Sequence, residues 1–243
     1  MEYKILPVGD SALTIVFGDR IDPGISADVR AARKHLTKKN IEGVTEYVQT
    51  YATLMVHYKP GVVLYDELAV RIDQELSGLD LSEGNMKKKT IVIPVCYGGE
   101  FGPDLPFVCE HAGLNEEEVI RRHSGGEYLI YMLGFMPGFV YLGGMDPSIS
   151  TPRLRDPRDR IEKGSVGIAA NQTGIYPLVS PGGWQIIGRT PLKLYDQNRE
   201  KPILYEAGEY IRFVPIDRGE FDRIKEQVDH DTYEYEWIIE GGE

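Results

Sequence analysis

The sequence predicts an α+β chain in two parts, a small ferredoxin-like α/β unit over residues 1–86 and a β-barrel over residues 87–243. Three observations predict it. Short strands alternate with amphipathic helices through the first ninety or so residues, the pattern of a small sheet with helices on one side. The polar stretch Ser82–Lys89 then interrupts that pattern as a linker. Beyond it, the 58 residues from Gly134 to Pro191 hold 10 Gly and 7 Pro, a density of backbone punctuation that prevents long helices and favours a closed barrel of short strands with elaborated loops.

Taken in order, Tyr3–Val8 and Ala12–Phe17 are strands flanking the turn residues Gly9-Asp10-Ser11. A helix follows over Gly24–Lys38, with Ile25, Val29, Ala32 and Leu36 at helical spacing and Pro23 at its start, where a missing N–H costs nothing. Val44–Tyr51 and Thr53–Tyr58 alternate as paired strands, ended by Lys59-Pro60-Gly61. Leu64, Leu68, Ile72 and Leu76 recur every four residues around a helix placed at Tyr65–Leu79, so one stripe faces the sheet. Strand, helix, strand, strand, helix is most of a split βαβ unit. In the second part, Thr90–Val95 is a strand and Gly102–Leu114 a short helix. Asn115 caps a further helix whose first turn holds Glu116, Glu117 and Glu118, where the helix dipole favours acids. Tyr128–Leu133 is an apolar strand. After the punctuated region come the strand Ile211–Pro215, an amphipathic helix using Phe221, Ile224 and Val228, and an alternating edge segment, Tyr233, Tyr235, Trp237 and Ile239.

Composition narrows the function. A net charge of −11 argues against nucleic acid as a partner, because phosphate contacts need clustered Lys and Arg. The charge is uneven: Glu200–Glu243 carries 13 acidic and 5 basic residues, whereas Thr151–Arg199 carries 4 acidic and 8 basic. That cationic island suits a small anionic ligand or an acidic partner surface. No run of about 18 apolar residues is present and no secretory leader is seen, so a cytoplasmic protein without membrane association is expected. Cys96 and Cys109 lack CxxC pairs or histidines at ligand spacing, so no metal site is expected and both are read as buried thiols.

The chain has no GxxxxGK[ST] loop, no GxGxxG after a strand, no GxSxG elbow and no HExxH. A self-contained P-loop ATPase, serine hydrolase or zincin is therefore disfavoured. Among His35, His57, His111, His123 and His230, only His123 directly precedes the punctuated region, and imidazole titrates near neutrality. In the segment Gly134–Gly143, Phe135, Pro137, Gly138, Phe139 and Tyr141 combine close backbone approach with apolar rings, so with His123 they are expected at a pocket rim or partner-docking face. In Gly164–Pro191, Gln172, Thr173, Tyr176, Ser180, Trp184, Arg189 and Thr190 set hydrogen-bonding and stacking groups beside glycine-rich turns whose N–H groups can hold an anion. Arg189 is a natural fork for carboxylate or phosphate.

The runs GFMPGFVYLGG and TPRLRDPRDRIEKGSVGIAANQTGIYPLVSPGGWQIIGRTP closely resemble the KipI/PxpB family, also labelled allophanate hydrolase subunit 1, and the opening LPVGDSALTIVFGDRI is similar to that family's start. The resemblance spans nearly the whole chain. It implies a small α/β N-terminal domain and a cyclophilin-like β-barrel. It further implies a B-type subunit that opens 5-oxo-L-proline to L-glutamate at the expense of ATP, together with a C-type (KipA/PxpC-like) and an A-type (LamB/YcsF-like) subunit, and that is inactive alone. Some relatives instead inhibit a sporulation histidine kinase, and related modules contribute to carboxyl transfer in urea carboxylase. The kinase reading would use the GFMPGF loop as its contact; the carboxyltransfer reading is weakened because this chain has no biotin-accepting EAMKM-like lysine.

An unstrained lactam is a poor electrophile, so the implied reaction phosphorylates its amide oxygen before water attacks. That needs donors for the substrate carboxylate and cations for developing phosphate charge. Arg153, Lys163 and Arg189 are the candidates for positive charge, Gln172, Thr173 and Ser180 for hydrogen bonds to the ring, and Tyr176 and Trp184 for its walls. The sequence encodes no evident general base and leaves the catalytic residue and the ATP-binding chain of the complex unassigned.

Overall fold

The structure, a computed structural model, describes residues 2–77 and 87–241, and the chain divides into two units, residues 1–86 and 87–243. In the first unit, β1 (Lys4–Val8) and β2 (Ala12–Val16) form a hairpin turned through Gly9, whose φ of +60° a glycine adopts freely. Helix α1 (Pro23–Lys39) begins where the Asp22 carboxylate accepts the N–H groups of Gly24 and Ile25, and it stops at Asn40 in the left-handed region. Strands β3 (Val44–Gln49) and β4 (Thr53–Tyr58) and helix α2 (Tyr65–Leu76) complete the unit.

The sheet order is β1-β2-β4-β3. Because β2 and β3 are each antiparallel to β4, they run parallel to one another with β4 between them, and α1 is the crossover of a split βαβ unit. The outer place beside β2 is filled by β1. Leu13, Ile15, Leu54 and Val56 point from the sheet at Val29, Ala32 and Leu36 of α1 and Leu68, Ile72 and Leu76 of α2. The helix expected to run to Leu79 ends at Leu76, and Leu79 lies outside the described residues.

The second unit opens with β5 (Lys88–Tyr97), longer than expected: Lys88 and Lys89, read as linker, are ladder residues, and Ser82–Met86 lies outside the described residues. Helices α3 (Leu105–Ala112) and α4 (Glu116–Ser124) follow, α4 capped by the Asn115 side chain on the Glu118 N–H at 2.8 Å. The remaining strands are β6 (Glu127–Leu133), β7 (Val140–Gly143), β8 (Arg158–Ile161), β9 (Ser165–Ala169), β10 (Gln172–Ile175), β11 (Ser180–Gly182), β12 (Gln185–Arg189) and β13 (Tyr210–Pro215). Helix α5 (Arg218–Asp229) and β14 (Trp237–Glu240) end the chain.

The ladder β12-β9-β10-β7-β6-β13-β5 closes on itself because the end of β5 pairs with β12, giving the closed seven-stranded barrel expected of a cyclophilin-like domain. Its interior is an apolar core that includes Ile91, Ile93, Tyr128, Val166, Ile187 and Phe213. Burying each such side chain stabilises the fold by about 1.5–3 kcal/mol. β14 pairs only with the first half of β5 and so stands outside the closure; Tyr233 and Tyr235, expected in that strand, precede it and pack edge-to-face at 5.4 Å. The β8–β11 ribbon lies apart from the ladder. Cys96 is buried, whereas Cys109 on α3 is only half-buried. Among the described residues no helix is long and apolar enough to cross a membrane.

Candidate functional site

Three neighbouring strands set the floor of the site. In β5, β12 and β9, Cys96 pairs with Arg189 and Arg189 pairs with Ser165, and residues in register share a face of the sheet. Their strand neighbours Val95 and Val166 belong to the barrel interior, so the row Cys96–Arg189–Ser165 lies on the outer surface. There α5 packs through Phe221, which stacks on Phe101 with ring centroids 4.3 Å apart and covers Cys96. A cleft of about 620 Å³ opens between α5 and the barrel, with Lys163, Arg189, Thr190 and Lys193 on one side and Asp222 and Lys225 on the other.

The charges in this cleft are not equivalent. Lys193 is paired with Asp196 at 2.6 Å, Lys225 with Asp229 at 2.5 Å, and Arg218 with Asp222 at 2.8 Å. Among the described residues, Arg189 and Lys163 have no such carboxylate partner. The Arg189 guanidinium lies 5.5 Å from the Phe101 ring centroid, and its Nε is buried without a hydrogen-bond acceptor. The Glu162 carboxyl is held below its usual pKa by a hydrogen bond from Arg160 first, and then by the fields of Arg189 and Lys163. Gly164 lets β12 approach: its φ is +82°, its carbonyl accepts the Thr190 N–H at 2.9 Å, and a Cβ there would sit 2.4 Å from the Thr190 carbonyl oxygen.

The aromatic residues expected around a ligand form a separate cluster. Gly167 and Gly174 are paired on β9 and β10, and Trp184 lies over both, 3.1 and 3.0 Å from where their Cβ atoms would be. These glycines make room for an indole instead of presenting N–H groups to an anion. Phe139, Tyr176 and Trp184 are buried and meet edge-to-face at 5.3 to 6.3 Å. Burial pushes the Tyr176 hydroxyl up to about 12. Arg153 rests its guanidinium 5.9 Å from the Trp184 ring. The GFMPGF segment is a braced corner: the Gly138 carbonyl accepts the buried Tyr205 hydroxyl at 2.8 Å, and Phe135, at a φ of +69°, projects 66% exposed beside the exposed Pro137. Tyr141 is half-buried against Phe139.

The structure therefore brings Lys163, Arg189 and Thr190 together in the cleft, and places Arg153, Tyr176 and Trp184 in the aromatic cluster. Gln172 and Ser180 are half-buried on β10 and β11. Thr173 and His123 are interior, which corrects the expectation that His123 stands on a rim: it is fully buried on α4. The Thr173 hydroxyl donates to the Gly167 carbonyl at 3.1 Å, so His123 Nε2–H donates to Thr173 at 2.8 Å and Nδ1 accepts the Tyr97 hydroxyl at 2.8 Å. Burial lowers the imidazole pKa to about 3, so it is a neutral strut between α4 and the barrel wall. Sequence reasoning missed Ser165, Phe101 and the cleft-facing side of α5. The α5 periodicity was visible, but only strand register brings Ser165 beside Arg189.

Residues 3–205 match the family described as carboxyltransferase domain, subdomain C and D. The chain is similar to the B subunit of 5-oxoprolinase from Bacillus subtilis (strain 168), at 41% identity over 237 residues that cover 93% of this chain and 98% of that protein. It is similar to the B subunit of 5-oxoprolinase from Escherichia coli O157:H7 at 50% identity over 133 residues, 55% of this chain and 61% of that protein. The solved urea amidolyase of K. lactis shares the fold at a TM-score of 0.82 and 17% identity, covering 99% of this chain and 16% of that one.

Proposed function

The chain belongs to the carboxyltransferase-domain family of subdomains C and D, and from that membership we propose that it is the B-type component of an ATP-dependent 5-oxoprolinase, acting with C-type and A-type subunits and inactive alone. The observation that carries the reading to particular residues is the cleft beside α5, in which Arg189 keeps an unpaired guanidinium next to Lys163. A guanidinium presents a rigid fork of donors that matches a carboxylate, and 5-oxoproline carries one. Arg189 holds that carboxylate and Lys163 adds positive charge close by.

The carboxylates that α5 brings to the cleft are not free bases, which supports a shared site. Asp222 and Asp229 are tied into ion pairs with Arg218 and Lys225, and the Lys225 ammonium holds the Asp229 carboxyl below its usual value. A carboxylate stabilised in its charged form is a weak proton acceptor. We assign the group that activates water to a partner chain. The N-terminus of α5 is already filled by the Asp217 side chain, which accepts the Glu220 N–H at 2.8 Å, so that helix end offers no seat for a phosphate. ATP is accordingly a substrate of the complex whose binding is assigned to the partners.

Replacing Arg189 by Ala in the reconstituted complex removes the fork. The expected result is a loss of turnover on the order of 10²-fold, the scale of a charged hydrogen-bonded contact, with co-elution of the subunits intact. Unchanged turnover in an intact complex removes Arg189 from the site.

A further inference from the structure

Ser165 is 1% exposed, and its hydroxyl oxygen is buried without a hydrogen-bond partner. An unmet buried polar group destabilises a fold, so a native protein retains one only for a reason. Its cross-strand neighbour is Arg189, whose buried Nε–H is also unmet. Among the described residues, no other two such atoms belong to residues paired with each other across neighbouring strands. Directly paired residues hold their Cβ atoms about 4.5–5.5 Å apart, close enough for one small group to meet both side chains. Arg189 can only donate, and a serine hydroxyl donates readily. A cation would be repelled by Arg189 and an apolar group would leave both side chains unmet, whereas an oxygen anion satisfies them together.

We propose that Ser165 and Arg189 form an oxyanion seat at the inner wall of the α5 cleft, taking a carboxylate or phosphoryl group, with Lys163 supplying further positive charge. Gly164 keeps the seat in shape. A Cβ at that position would meet the Thr190 carbonyl at 2.4 Å and Arg189 Cγ at 3.4 Å, so any side chain would push Arg189 away from Ser165. The neighbouring cations Lys193, Lys225 and Arg218 are neutralised by Asp196, Asp229 and Asp222, and the Glu162 carboxylate is taken by Arg160, which leaves the surplus charge at the seat itself. That the anion belongs to the substrate rests on the reading of the chain as a 5-oxoprolinase component; the seat itself does not.

The test is calorimetric titration of the full chain alone with 5-oxo-L-proline, with inorganic phosphate, and with pyrrolidin-2-one, which keeps the lactam and lacks the carboxylate. Wild type is compared with Ser165→Ala, Arg189→Gln and, as a control outside the seat, Arg121→Gln on α4, whose partner is Glu118. The expected result is binding of at least one anion and none of pyrrolidin-2-one. Affinity falls about tenfold in Ser165→Ala and about 100-fold in Arg189→Gln, and is unchanged in the control. Thermal unfolding separates binding from packing: deleting an unmet hydroxyl leaves the midpoint of Ser165→Ala equal to or above wild type, while a structural serine would lower it. Preference for 5-oxoproline identifies a carboxylate seat and preference for phosphate a phosphoryl seat. Wild type that binds neither anion, or Ser165→Ala that binds as wild type does, overturns the seat. Failure of the 5-oxoprolinase reading is seen separately, as undiminished turnover when this chain is omitted from the assembled enzyme.

Discussion

His123 couples the barrel's stability to acid. Its pKa is lowered by burial to about 3, while in the unfolded chain it returns to about 6.5. Protonation therefore favours the unfolded state: the contribution is complete above pH 6.5 and is lost as pH falls toward 3. Linkage puts the loss at about 2 kcal/mol by pH 5. Urea unfolding of wild type and His123→Gln at pH 8 and pH 5 checks this: the variant is less stable at pH 8, but its stability declines about 2 kcal/mol less on acidification, and equal declines would contradict the strut. In the sequence His123 had the chemistry of a catalyst, and nothing local revealed that Tyr97 and Thr173 would enclose it. Arg189 and Lys163 were legible because charge beside glycine-rich turns has few structural uses. Ser165 was not, since a lone serine in an apolar strand carries no signal until its register with Arg189 is known.

Helix boundaries were legible where local chemistry sets them. Pro23 starts α1, and Asn115 caps α4 with three glutamates behind it. Strand limits were less so. Lys88 looked like linker, yet it pairs with Glu127 and reaches Glu240, 152 residues away, a contact that composition cannot foresee. The glycine-rich β9 and β10 suggested anion-binding turns, and their paired Gly167 and Gly174 instead seat Trp184. Gly174→Ala places a methyl 2.9 Å from the Val140 carbonyl and 3.0 Å from the Trp184 ring. Such overpacking is expected to cost about 1–3 kcal/mol and to displace the indole. A lowered unfolding midpoint with altered tryptophan emission is the predicted outcome; unchanged values for both would mean that the indole does not rest on this pair.

The two units carry separate cores, one built from Leu13 to Leu76 and one from Ile91 to Val228. Closure of the barrel through β12 and β5 leaves the second core complete within residues 87–243. That fragment is expected to unfold cooperatively when made alone, read by circular dichroism during heating; a fragment without a transition would show that the barrel needs the first unit. Whether the cleft is completed by other chains is decided by 5-oxoproline-dependent ATP hydrolysis measured for this chain alone, for the proposed A-type and C-type chains together, and for all three. Turnover is expected only when all three are present; full turnover from the A-type and C-type chains without this one, or from this chain by itself, rules out a shared cleft.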